Sequence, residues 1–65
     1  MIIDVKIHEI DNRKKAIGIP YKHKGIIKTM WIPKSLIENK HWQERGFIDI
    51  PDWFYDKKID ELFLN

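Results

Sequence analysis

Lys15-Ala16-Ile17-Gly18-Ile19-Pro20-Tyr21-Lys22-His23-Lys24-Gly25-Ile26-Ile27-Lys28-Thr29-Met30-Trp31-Ile32-Pro33 is the stretch whose reading decides the fold. In its first part Lys15, Ile17, Ile19 and Tyr21 alternate with the small residues Ala16 and Gly18, the two-residue period of a strand with one buried face. Lys22-His23-Lys24-Gly25 supplies a polar turn, and Ile26 to Ile32 is apolar and β-branched enough to return as a second strand. Gly18 within the pattern predicts a bulge or a close backbone approach. Pro20 lacks a ladder donor and predicts a sheet edge at that end of the strand.

Towards the N-terminus, Ile3, Val5 and Ile7 alternate with Asp4, Lys6 and His8. This predicts a strand over about residues 2–9, turned at Asp11-Asn12-Arg13 and hairpin-paired to the strand beginning at Lys15. Towards the C-terminus, Pro33 ends the third strand. Ser35-Leu36-Ile37-Glu38 has the form of a capping box, which predicts a short helical turn over 34–38, with Gly46 available as a helix stop. Residues 39–45 show no clean period. Phe47 to Ile50 reads as a fourth strand, and Pro51 opens a helix in which Tyr55, Ile59, Leu62 and Phe63 recur at helical spacing. The expected class is therefore α+β in one domain, residues 1–65. It is a small antiparallel β-meander of three to four strands, curling towards a partly open barrel, with a short helical turn and a C-terminal amphipathic helix.

Composition sets the outer bounds. A chain of 65 residues, 43% hydrophobic and 34% charged, is globular in character and too short for two domains. It has no cysteine, which excludes disulfides and thiolate zinc sites and fits a cytoplasmic location. Three tryptophans, three phenylalanines and two tyrosines are expected to build an aromatic core in place of covalent staples. Trp31 and Trp53, each beside a proline at a strand–helix boundary, are expected to close its ends. Asp4 and Lys6 interrupt the N-terminal apolar residues, and no apolar run approaches the ~20 residues that span a bilayer, so no membrane association is expected. The formal net charge is +2, unevenly spread. Residues 6–40 carry nine lysines and arginines against three acidic side chains, and residues 41–65 carry three against six.

No pattern for catalysis emerges. His8, His23 and His41 match no metal-ligand spacing, and Ser35 lacks a nucleophile elbow. Gly18, Gly25 and Gly46 are isolated, and the acidic residues of the last helix fit a solvated face. The chain reads as a non-enzyme without metal or cofactor. The remaining chemical signal is the basic series Arg13, Lys14, Lys15, Lys22, Lys24 and Lys28, interleaved with Tyr21 and Trp31. Lysines that neutralise phosphates beside rings that stack on bases suit single-stranded nucleic acid, although polar turns are commonly basic for solvation alone.

Trp31-Ile32-Pro33-Lys34-Ser35, followed by Ile48-Asp49-Ile50-Pro51-Asp52-Trp53 and preceded by Lys15-Ala16-Ile17, resembles a group of short, largely uncharacterised proteins of phages, prophages and other mobile elements. Those read lysine-alanine-apolar, then Trp-Leu/Ile-Pro-Lys-Ser, then Ile/Val-Pro-Glu-Trp at the start of a terminal helix. Asn39 to Arg45 and Phe54-Tyr55-Asp56 depart from that pattern. The resemblance implies a mobile-element origin, hence a host-cell cytoplasm, and a strand-rich fold with a terminal helix. It implies no activity and transfers no site residue.

The expected function is that of a small phage-type accessory binding protein that contacts nucleic acid through its basic turns. The alternative is a protein–protein factor, either an inhibitor of a host or defence protein or a homo-oligomeric structural piece. Trp42, Phe54 or Phe63 would then be exposed anchors, and edge strands would offer pairing sites.

Overall fold

A two-residue turn organises the molecule. In the computed structural model, which describes residues 1–64, Lys24 and Gly25 both take positive φ, 49° and 82°. That is the backbone of a type I′ turn, whose twist matches that of the strands it joins. It sets strand β3 (Ala16–His23) against strand β4 (Ile26–Pro33), antiparallel, from His23 opposite Ile26 to Ala16 opposite Pro33. Such a turn makes His23–Ile26 a hydrogen-bonded pair, so bonded pairs recur at Tyr21–Lys28, Ile19–Met30 and Ile17–Ile32. The Lys34 N–H donates to the Lys15 carbonyl at 2.8 Å in the same phase.

Pro20 falls opposite Thr29, in a non-bonded pair. Its missing N–H therefore faces away from β4 and removes nothing from that ladder. Strand β2 (Asp11–Asn12) pairs with β3 on this other side, Asp11 opposite Gly18 and Asn12 opposite Ile17, and has ended before Pro20 is reached. The proline thus blunts a free edge without ending β3, which runs on to His23.

The antiparallel meander is β2-β3-β4, and its first member differs from expectation. The expected strand over 2–9 stops early: β1 spans Ile2–Asp4, Ile7–Glu9 forms a 3₁₀ turn, and the expected turn residues Asp11 and Asn12 are themselves β2. Strand β1 pairs not with β3 but with β5 (Phe47–Asp49), Ile3 lying opposite Ile48. The reason is burial. Of the three alternating residues only Ile3 is buried in the core, Val5 packs half-buried against it and Ile7 is exposed, while β5 offers the fully buried Ile48 and, just beyond it, Ile50. Alternation shows that a strand has an apolar face; it does not show which strand it will pair with. Among the described residues the result is two antiparallel sheets and no closed barrel.

Lys34–Leu36 is a single 3₁₀ turn with Pro33 at its cap position and no side-chain cap. Ser35 is therefore not the helix cap that the Ser-x-x-Glu pattern predicts. The Glu38 N–H that a capping hydroxyl would take donates instead to the Asp49 carbonyl at 2.7 Å. Beside it the Asn39 amide donates to the Phe47 carbonyl at 2.9 Å and its oxygen accepts from the Asp49 N–H at 2.8 Å. Together they close the side of β5 that faces away from β1. Helix α1 (Trp42–Arg45) is one turn, entered through His41 at φ 60° and stopped by Gly46 at φ 78°, a left-handed position that glycine fills without strain.

Helix α2 (Asp52–Ile59) starts after Pro51, whose carbonyl accepts from the N–H groups of Phe54 and Tyr55 at 3.1 Å. It widens into a π turn over Asp60–Leu64. This C-terminal segment buries Phe54 and Ile59 and half-buries Tyr55, Leu62 and Phe63. The core joins these to Ile3, Ile17, Ile19, Met30, Ile32, Trp42, Ile48 and Ile50. The fully buried side chains are five isoleucines and one methionine, Ile17, Ile19, Met30, Ile32, Ile48 and Ile50. The centre is thus aliphatic, with aromatic residues around it, and each such side chain contributes about 1.5–3 kcal/mol on leaving water.

Candidate nucleic-acid interface on the outer face of the hairpin

Strand alternation divides β3 and β4 into two faces. Ile17, Ile19, Met30 and Ile32 point into the core, so Gly18, Pro20 and Lys22 on β3 and Ile27, Thr29 and Trp31 on β4 share the opposite, outer face. Gly18 lies opposite Trp31 and shows why glycine is needed there. A Cβ at this position would stand 3.0 Å from two atoms of the indole benzo edge and 3.1 Å from the Thr29 methyl. The close approach expected of Gly18 is thus made by the Trp31 ring.

Trp31 does not close the core. It stays 39% exposed on the outer face, with the Arg13 guanidinium 5.6 Å from its ring centroid, a cation–π distance. Arg13 in turn donates from Nε and a terminal nitrogen to both carboxylate oxygens of Asp11, at 2.8 and 3.1 Å. These hydrogen bonds push the Asp11 carboxyl below its ordinary range and raise the guanidinium further. Arg13 is therefore ion-paired with Asp11 while its guanidinium lies beside the indole. Trp53, the other expected core-closing ring, is 60% exposed and meets Phe54 edge-on at 5.8 Å. At both junctions the neighbouring aliphatic or phenylalanine side chain takes the interior position instead. The opposite correction applies to two residues expected as exposed anchors: Trp42 and Phe54 are buried, while Phe63 is half-buried against Tyr21 and His23.

The basic and aromatic residues singled out in the sequence fall into two groups. Trp31, Arg13 and Lys22 belong to the outer face, flanked by Lys24 at the turn and by Lys14 and Lys15 at the bend between β2 and β3. Tyr21 and Lys28 belong to the other side. The Tyr21 hydroxyl is hydrogen-bonded to that of Tyr55 at 2.5 Å, the rings meeting edge to face. This bond, helped by burial, pushes the Tyr55 hydroxyl up to about 12. The Lys28 amine donates to the Leu62 carbonyl at 2.5 Å and sits 5.8 Å from the Phe63 ring centroid. Both side chains fasten the C-terminal segment to the hairpin. Lys14, Lys15, Lys22 and Lys24 have no ion-pair partner among the described residues.

Ile27, 64% exposed, and Thr29 complete the outer face between these lysines. Their place follows from strand alternation outward from the buried Met30, which sets both on the same face as Trp31. His8, His23 and His41 stand on three separate elements. Among the described residues no group of three or more histidine or acidic side chains is placed to hold a metal ion, and no helix is long and apolar enough to cross a membrane. Comparison with protein-family models, with curated proteins and with solved structures finds no match to this chain.

Proposed function

We propose that this chain is a small accessory binding module, of the phage type its motifs resemble, that takes a single strand of nucleic acid across the outer face of the β3–β4 hairpin. The observation that carries this reading is the position of Trp31. It is a partly exposed indole, packed by its benzo edge against Gly18 and with the Arg13 guanidinium 5.6 Å from its centroid, between unpaired lysines at both ends of the face. A ring fixed in this way stacks on a base without losing much rotamer freedom, and base–aromatic stacking contributes about 1–3 kcal/mol. From Lys15 to Lys22 the strand rises about 23 Å, seven steps of about 3.3 Å. Lys14, Lys15, Lys22 and Lys24 are the phosphate contacts in this reading, and Tyr21 and Lys28 are structural.

Fluorescence anisotropy of labelled single-stranded DNA and RNA oligonucleotides, with a duplex for comparison, tests the proposal at several salt concentrations. Four phosphate contacts predict a slope of log affinity against log salt of about −3 for a single strand. Trp31→Ala should weaken binding by roughly 5- to 150-fold, whereas Tyr21→Phe should leave it unchanged. No binding at low salt, or equal losses from Trp31→Ala and Tyr21→Phe, would remove this reading.

A further inference from the structure

The three-stranded sheet has two edges, and they are treated differently. On the β2 side the edge is short, charged at Asp11 and interrupted by Pro20. On the β4 side five consecutive residues, Ile27 to Trp31, carry no proline and, among the described residues, pair with no strand but β3. Because Tyr21–Lys28 and Ile19–Met30 are the bonded pairs of the hairpin, the N–H and C=O groups of Ile27, Thr29 and Trp31 point outward from β4. Edge strands are commonly guarded by a lysine. The only lysine on β4, Lys28, is folded inward onto the Leu62 carbonyl. The β5 strand shows what closure looks like in this molecule, since Asn39 and Glu38 occupy its outer side.

We infer that β4 pairs antiparallel with β4 of a second copy, about a two-fold axis through Thr29, to give a continuous six-stranded sheet. The strand is self-complementary in this register. Thr29 meets Thr29 of the second copy in a bonded pair, and Ile27 meets Trp31 twice. Threonine pairs and aromatic–β-branched pairs are both favourable across strands. All three outward N–H groups of each copy are then bonded. Lys28 lies opposite Met30, so no like charges face each other, whereas a register centred on Lys28 would set two lysines directly opposite. The isologous contact closes at two copies because each β4 has a single free edge. This inference rests on the backbone edge and stands whether or not the outer face binds nucleic acid. Pairing would set the two outer faces side by side.

Sedimentation velocity on the full chain between ~10 µM and ~1 mM covers the range of weak self-association. The expected result is a monomer–dimer equilibrium shifted towards monomer by at least tenfold in Thr29→Lys, which puts two lysines at the axis while far-ultraviolet circular dichroism and thermal unfolding report an intact monomer. Register is read separately by single-cysteine variants, since the chain has no cysteine of its own. In the proposed pairing the Cα atoms of the two residues 29 are about 5.5 Å apart, within disulfide reach, and those of residues 27 are about 14 Å apart. Thr29→Cys should therefore cross-link under mild oxidation and Ile27→Cys should not. A chain that stays monomeric to ~1 mM, or a dimer that survives Thr29→Lys and cross-links equally through both cysteines, overturns the inference.

Discussion

Replacing Gly18 with alanine tests whether the Trp31 ring is what demands a glycine in the middle of β3. The new methyl would stand 3.0 Å from two indole atoms and 3.1 Å from the Thr29 methyl, so the ring must move by a few tenths of an ångström. Overpacking of this kind costs about 1–3 kcal/mol. Against it, removing a glycine from a strand gains about 0.5–1 kcal/mol through the unfolded chain. The net expectation is a loss of about 1 kcal/mol, moderated because the indole is at the surface and can tilt. In a domain of this size that lowers the melting temperature by roughly 4–8 °C. The decisive assay is a double-mutant cycle by urea denaturation, followed by circular dichroism so that the moving tryptophan does not bias the signal. In a Trp31→Ala background Gly18→Ala should lose most of its cost, leaving only the Thr29 contact, with a coupling of about 0.5–1.5 kcal/mol. If Gly18→Ala costs the same with and without the indole, the close approach does not explain the glycine.

Two further outcomes concern titration. A tyrosinate absorbance titration of the folded protein should show a hydroxyl that resists ionisation until about pH 12, that of Tyr55. Tyr21→Phe should bring it back towards 10. Because the folded value is raised, the associated stability is complete below pH 10 and is lost as pH climbs towards 12. At the other end of the chain, the Met1 amine donates to an Asp52 carboxylate oxygen at 2.8 Å, and this hydrogen bond holds its pKa above the ordinary value of 8.0. The contribution of that pair is full below the ordinary α-amino range and fades as pH rises through the shifted value. An amine titration of the wild type followed by NMR should therefore end at higher pH than that of Asp52→Asn.

How much of this was legible in the sequence depends on the range of the interaction. The β3–β4 hairpin was readable because its signals are local: Lys24-Gly25 accepts positive φ and the alternation on either side fixes a face. The Gly46 stop and the helix after Pro51 are local in the same sense. The partner of β1 was not readable, since Ile3 would satisfy an apolar neighbour on any strand and only the assembled core favours Ile48. Ser35 misled because its cap depended on a Glu38 N–H that a distant carbonyl, that of Asp49, takes. For the candidate site, composition identified the lysines and Trp31 but could not separate them from Tyr21 and Lys28. That division depends on where the C-terminal segment lands, and residues 55, 62 and 63 touch the hairpin from more than thirty positions away.

The pairing of β1 with β5 also orders events in time. The β3–β4 hairpin closes over a two-residue turn, whereas β1 must find β5 across the residues between Asp4 and Phe47. With loop-closure entropy growing as the logarithm of length, that second step is harder by roughly 2–3 kcal/mol before any contact offsets it. A chain leaving the ribosome can therefore form its central hairpin while its first strand still waits for a partner that has not been synthesised. Ile3 lacks its strand partner until residues 47–49 emerge, so this part of the core can close only after they have been made.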